Sequence, residues 1–543
     1  MSHRPTYEEL YASFRWNIPA RYNIAHDVCD RHASDPDKVA LISDGGAGEV
    51  VRITFREVQL KANQLANVLI ALGLMKGDRV MLLLGQHPWA AIGHVACWKA
   101  GLVSSPASTL FASEAIAYRL NMATTRVVIT DLDNLPTVEQ ARLNAPCLEH
   151  VFVVDGRGAE AASLEEVVAK ASDQFTNVDT AADDPAFLNF TSGTTGNPKG
   201  ALYSNRSIVL NALSACLPGL ISLSPRDTIL PAVPMFHVNG WCVPYAAPIG
   251  GARMVLPGHR MDAASLYELL EGEQVTVTAG VPTIWIALMR HIEQGKLPLT
   301  SLKRILVGGS AMPESLIARF DQEFGIEVRQ AWGMTETVAI ATMSCLNSLQ
   351  NEMPAAARHA AMAKQGKSVF GVELKVVDEG GSTIPRDGTS QGQVMVRGQW
   401  TVSGYYKAEE PVLIDGWLPT GDIATIDAQG TLQIRDRAKD LIKTGGEWIS
   451  SIDLEGVAMA HPAVAMAAVV GVRHPKWEER PLLFIVRKPD SSVEGDEILV
   501  FLAERLAKWW IPDAVIFLDA LPVGGTGKVQ KAALREQYGN HFC

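Results

Sequence analysis

Short, nearly unbroken apolar runs alternate with longer amphipathic ones from about Pro36 to Asp155. VALIS (39–43), DRVMLLL (78–84) and TRVVITD (125–131) read as buried strands. Between them TFREVQLKANQLANVLIALG (54–73) carries apolar residues at helical spacing and stops at Gly73. The rhythm continues through VTVTAGVP (275–282), RILVGGS (304–310) and EVRQAWG (327–333). Continuous apolar strands separated by helices indicate parallel sheets covered on both faces.

After about residue 367 the pattern changes. VELKVVDEGG, QGQVMVRG and TLQIRDR are strands separated by Gly- and Asp-rich turns, a β-rich subdomain. Beyond about residue 438 a small α+β unit is predicted, with AVAMAAVVGV and PLLFIVRK among its strands. The Ala-rich EMPAAARHAAMAKQGK (352–367) is predicted as a surface helix. The most apolar run, VMLLLGQHPWAAIGHVACW, is interrupted by Gln86, His87 and His94 and so reads as a strand plus a buried helix, not a membrane span. The N-terminal segment has no signal-peptide apolar core, and a cytoplasmic protein without a membrane anchor is expected.

Charge narrows the function. The 543-residue chain carries a net charge of -11, which argues against a general binder of nucleic acid or anionic membranes. An anionic ligand must therefore be met by local cations and amides. The seven cysteines are scattered with no C-x-x-C pair, which argues against a disulfide framework or zinc site and for a reducing compartment.

TSGTTGNPKG (191–200) has the composition such a ligand needs. It follows the strand-like PAFLNF, so Thr191, Ser192, Gly193, Thr194, Thr195 and Gly196 would present hydroxyls and bare amides just past a strand, with Lys199 as the cation. Neither this stretch nor GGTGKV (524–529) fits the P-loop spacing. On composition alone a solvated hairpin loop stays open.

Four more motifs follow in order: QAWGMTET (330–337), GWLPTGD (416–422), RDRAKDLIKTGGEWIS (435–450) and GGTGKVQK (524–531). With the decapeptide they resemble the signature motifs of the AMP-forming acyl-CoA synthetases, within the adenylate-forming superfamily of luciferases and peptide-synthetase adenylation domains. PMFHVNGWCVPYA, TAGVPTIW and KTGGEWISSIDLE are most similar to bacterial fatty acyl-CoA synthetases. FRWNIPARYNIAHDVCDRHA and KQGKSVFGVELKVVDEGG resemble methylmercaptopropionate-CoA ligases.

The resemblance implies an α/β fold: a large N-terminal domain (1–436) of two βαβ-type sheets plus a distorted β-barrel, and a small mobile α+β C-terminal domain (437–543) hinged near Lys439. It implies ATP, Mg²⁺ and CoA as cofactors, a small carboxylic acid as substrate, a homodimer, and no nucleic-acid partner. The implied reaction is carboxylate plus ATP plus CoA to acyl-CoA, AMP and pyrophosphate through an acyl-adenylate. An aryl-acid CoA ligase or a luciferase-like adenylating monooxygenase are the alternatives.

Residue by residue, the resemblance makes Lys528 the catalytic lysine, Glu336 the Mg²⁺ ligand with Thr194, and Thr335 a donor to the α-phosphate. Gly308, Gly309, Ser310, Ala331, Trp332 and Gly333 would border adenine and acyl group, and Asp422 and Arg437 the ribose. Gly445 and Gly446 would line the pantetheine tunnel, since a narrow passage has room only where side chains are absent, and Lys443, Glu447 and Trp448 are further cofactor-binding residues. His237, Val238, Gly240, Trp241, Gly280, Val281 and Thr283 would form the acid pocket. His237 stands where amino-acid adenylation domains usually carry Asp, which argues against an amino-acid substrate.

Overall fold

The computed structural model describes all residues except 1–5, 16–18, 45–48, 192–197, 446, 490 and 525–528. Two large sheets form its centre. In the nine-stranded sheet, strands Glu327–Trp332, Arg304–Val307, Val277–Gly280, Thr228–Ala232, Arg253–Leu256 and Val39–Asp44 run in that order, all parallel. Antiparallel strands close its two edges, Val50–Thr54 on one side and Thr342–Met343 with Lys367–Ser368 on the other. The seven-stranded sheet is parallel except at its edge, where Gly200–Ser204 pairs antiparallel with Pro185–Phe190.

Local chemistry starts and stops these elements as the sequence suggested. Thr54 caps helix Phe55–Ala71 in a reciprocal box with Glu57. Helix Pro88–Lys99 is buried from Trp89 onward, which is why its pattern is apolar all round. Its final Lys99 is 1% exposed and pairs with Asp30 and Asn177. Among the described residues no helix is long and apolar enough to cross a membrane.

The expected barrel takes the form of a four-stranded antiparallel sheet: Val372–Val377, Gly392–Gly398, Leu418–Ile426 and Leu432–Arg437. The Ala-rich stretch is helical only over Ala355–Met362, bounded by Pro354, and it is not wholly on the surface. His359 and Met362 are buried, with His359 Nε2 2.8 Å from Asp321.

Beyond residue 441 a five-stranded sheet with helices Ser451–Met459, Gly495–Ala503 and Lys531–Tyr538 encloses its own core, including Leu454, Val469, Leu483 and Leu502. This core shares no residue with those of the large sheets, which marks a separately packed smaller domain.

Candidate active site

A cavity of about 280 Å³ opens at the carboxyl ends of the parallel strands, the usual ligand position in open α/β sheets. Ala279, Leu306 and Ala331 reach it from strands of the nine-stranded sheet, and Gly308 and Gly309 follow directly. Thr191 and Lys199 reach it from the end of Pro185–Phe190 and the approach to Gly200–Ser204. Of the remaining phosphate-loop candidates, Ser192, Gly193, Thr194, Thr195 and Gly196 lie outside the described residues.

The polar side of the cavity is built around Glu336, which is 6% exposed. Its segment leaves strand Glu327–Trp332 as a short 3-10 turn, Thr335–Thr337. The turn then reverses through Val338 and Ala339, whose φ values are 47° and 71°. Gly333 permits this reversal: a Cβ there would stand 2.0 Å from the Ala339 carbonyl oxygen. Tyr203, buried in the neighbouring sheet, donates its hydroxyl to the Thr335 carbonyl. The Glu336 carboxylate accepts a 2.5 Å hydrogen bond from the Tyr405 hydroxyl. Burial, and next the Glu336 charge, push the Tyr405 phenol well above its ordinary pKa, so it stays a donor.

Asp422 and Arg437 occupy adjacent antiparallel strands as a register pair. The Arg437 Nε lies 2.7 Å from Asp422 Oδ1, and Trp332 Nε1 donates to Oδ2 at 2.9 Å. Asp422 is 2% exposed while Arg437 reaches the cavity wall. Trp332 is thus an orienting group for Asp422.

The lining also includes the apolar residues Ile221, Val243, Leu306, Ile340 and Met343. Glu336 is the one carboxylate among the described lining residues, so no second acid stands ready for a substrate ammonium. His237, Val238 and Trp241 also line the cavity. They belong to an unusual turn: Val238, Asn239, Gly240, Trp241 and Cys242 all have positive φ, between 36° and 64°. Four non-glycine residues held left-handed in succession are costly and persist only when packing enforces them. Here Asn239 is fully buried against His94, which burial pushes down to about 3 and whose Nδ1 meets Ser104 at 2.8 Å. The turn delivers the Trp241 ring against Gly308, where a Cβ would sit 3.0 Å from it.

Gly280, Val281, Thr283, Gly240 and Ser310 are not among the lining residues. Side chains alternate along a strand, so Ala279 faces the cavity and Gly280 faces away, against the Trp285 ring. Tyr405 was not anticipated; the Gly-Tyr-Tyr at 404–406, between the second and third motifs, was the available signal.

The segment around Lys439, the expected hinge, is a dense polar junction. Asp436, 1% exposed, accepts from the Ser451 amide and hydroxyl, both at 2.6 Å. Lys531 Nζ donates to Ser451 Oγ at 2.5 Å and pairs with Glu455 at 2.8 Å. Ser450 caps its helix and donates to the Arg435 carbonyl. Lys439 sits among the charges of Asp440, Arg437, Arg535 and Asp422, and burial pulls its ammonium below the ordinary lysine value. Gly445 is left-handed (φ 58°) and a Cβ there would meet the Trp477 ring at 2.9 Å. Lys443 stands 3.8 Å from Glu478 and lies over the Trp448 ring, away from the cavity lining. Gly446 and Lys528 lie outside the described residues, as does the side chain of Glu447.

No three described His, Cys, Asp or Glu residues converge as a metal cage. One buried carboxylate beside a lysine fits a divalent cation that arrives with phosphate oxygens supplying most of its ligands.

Two family models match the chain: AMP-binding enzyme over residues 29–406 and AMP-binding enzyme C-terminal domain over 453–528. The chain is 42% identical to a long-chain-fatty-acid–CoA ligase of Thermus thermophilus, covering 95% of this chain and 96% of that one. It is 40% identical to a medium-chain-fatty-acid–CoA ligase of Ectopseudomonas oleovorans (92% and 93%). It is 39% identical to a 3-methylmercaptopropionyl-CoA ligase of Ruegeria pomeroyi (94% and 96%). Among solved structures, the anthranilate CoA ligase AuaEII with anthranoyl-AMP superposes with a TM-score of 0.87 at 27% identity, covering 96% of this chain and 98% of that one. MatB from Rhodopseudomonas palustris, 28% identical over 96% of this chain and 99% of its own, superposes at 0.83 with ATP bound and 0.74 in its apo form. The chain thus superposes better on the ATP-bound form of this relative than on its apo form. With both domain models matched and relatives of about 40% identity aligned nearly end to end, the chain belongs to the AMP-binding enzyme family and is an AMP-forming acyl-CoA synthetase.

Proposed function

We propose that this enzyme activates a monocarboxylic acid with an uncharged, apolar aliphatic or thioether tail. The observation carrying this reading is a single cavity that joins Lys199, Thr335, Glu336 and Arg437 to a wall of Ile221, Val243, Leu306, Ile340 and Met343. The named acids of the relatives, fatty and methylmercaptopropionic, share that tail chemistry.

In the first half-reaction an acid oxygen attacks the ATP α-phosphorus, the bond to the β-phosphate oxygen breaks, and pyrophosphate leaves. Thr191 and Lys199 would hold the β- and γ-phosphates. Thr335 would donate to the α-phosphate, and Lys528 would stabilise charge developing there. Asp422, oriented by Trp332, would accept the ribose hydroxyls, and Arg437 would add a further contact. A Mg²⁺ held by Glu336 would neutralise the polyphosphate. His237 and Trp241 would close over the carboxylate end of the acid. In the second half-reaction the CoA sulfur attacks the acyl carbon, the thiol proton is lost, and the bond to AMP breaks. The pantetheine would pass Lys443, Gly445, Gly446, Glu447 and Trp448 after the C-terminal domain, bounded at residues 436 and 437, turns about Lys439. A homodimer and a cytoplasmic location belong to the same reading. The seven free cysteines support a reducing compartment.

Acid-dependent ATP–pyrophosphate exchange, measured from propionate through thioether and aryl acids to palmitate, tests this. Aliphatic or thioether acids should drive exchange best. Exchange driven best by an aryl or amino acid, or by no acid, would overturn it.

A further inference from the structure

Lys199, Tyr405 and Glu336 line the same cavity, and Tyr405 touches both charged residues. The Tyr405 hydroxyl holds Glu336, and the Lys199 ammonium rests 4.9 Å from the centre of the Tyr405 ring. Among the described residues no ion pair joins Lys199 to Glu336.

The segment carrying Tyr405 is fixed at both sites. The Val402 amide donates to the Glu336 carbonyl at 2.9 Å, and the Tyr406 amide donates to the Gly200 carbonyl at 2.7 Å. Tyr405 also bridges to Ala201. Residues 402–406 therefore strap the root of the phosphate-loop candidate to the carboxylate turn, with an aromatic ring as the spacer. Glu336 is buried and Lys199 is exposed on a flexible stem. A buried carboxylate is stabilised by an opposite charge that comes close to it.

We propose that Tyr405 is an insulating positioning residue. Its ring keeps Lys199 from neutralising Glu336, so that the anion-binding and cation-binding halves of the cavity stay separately available to polyphosphate and its metal. The ring face gives the ammonium a weak, easily surrendered resting place. The hydroxyl gives the carboxylate a neutral partner on one oxygen and leaves the other for a cation. The proposal rests on the reading of this cavity as a polyphosphate site.

The test is metal-free tripolyphosphate binding to the full-length protein, followed by isothermal titration, with folding checked by thermal midpoint. Tyr405→Phe keeps the ring and should bind within about threefold of the parent. Tyr405→Leu should bind at least about tenfold more weakly, because Lys199 is captured by Glu336. Tyr405→Leu with Glu336→Gln should recover to within about threefold of Glu336→Gln alone, since the captor is gone. A role confined to holding the backbone strap predicts no such recovery. Parent-like binding by Tyr405→Leu, or a double variant as weak as Tyr405→Leu, would overturn the proposal. Failure of the parent protein to bind tripolyphosphate or ATP would instead overturn the polyphosphate reading itself, and with it the premise.

Discussion

The junction at Asp436 makes a quantitative prediction about domain alternation. Asp436 belongs to the four-stranded sheet of the large domain, and Ser451 to the first helix of the small one. Two hydrogen bonds of 2.6 Å run from Ser451 to the Asp436 carboxylate across the proposed hinge, and Lys531 reinforces them through the Ser451 hydroxyl. Turning about Lys439 would release both. A hydrogen bond to a charged acceptor contributes about 1.5 kcal/mol or more, but burial, the largest influence on Asp436, raises its carboxyl pKa and offsets part of that gain. A net bias of about 2 kcal/mol is a factor of roughly thirty in population. If the two orientations are equally populated in the parent, Asp436→Ala leaves about 3% in the present one. If that orientation, which superposes better on the ATP-bound relative than on the apo one, is the adenylating one, acid-dependent pyrophosphate exchange should fall up to about fifteenfold. Single-turnover conversion of preformed acyl-AMP by CoA should be unchanged or faster. Equal loss in both half-reactions, or loss in the second alone, would refute the assignment of this contact to the first orientation.

Three further outcomes are expected. Lys439→Pro should stall acyl-CoA formation while sparing pyrophosphate exchange, because among the described residues the Lys439 amide donates to no acceptor in the present orientation; equal loss of both activities would contradict the hinge. Lys528→Ala should slow adenylation by about 10²- to 10³-fold with little change in ATP affinity, the scale of removing one transition-state donor; stopped-flow and titration together decide it. Gly333→Ala should cost about 3 kcal/mol or more, since the added Cβ would lie 2.0 Å from a backbone oxygen that has no flexible end to yield; denaturant unfolding monitored in the large domain measures it.

Much of this architecture is legible in the sequence because its signals are local. Strands such as Arg304–Val307 and Val277–Gly280 announce themselves as short apolar runs, and the Asp422–Arg437 pair lies inside two motifs. The remaining features depend on pairings far apart in the chain. Tyr405 acquires meaning only when it meets Glu336, and nothing near either residue encodes that meeting. Ala279 rather than Gly280 faces the cavity because strand alternation fixes one face for each, and a motif read as a string does not say which. The Ala-rich stretch suggested exposure, yet Met362 packs into the core of the nine-stranded sheet and buried His359 meets Asp321.

The central claim is that one chain joins an acid to CoA through an adenylate. The most direct test incubates the enzyme with ATP, Mg²⁺, CoA and the best acid from the exchange panel, and quantifies products by mass spectrometry. Acyl-CoA, AMP and pyrophosphate in equal amounts, with acyl-AMP accumulating when CoA is withheld, is the predicted result. ADP and inorganic phosphate in place of AMP and pyrophosphate, or acyl-AMP that CoA never consumes, would contradict it.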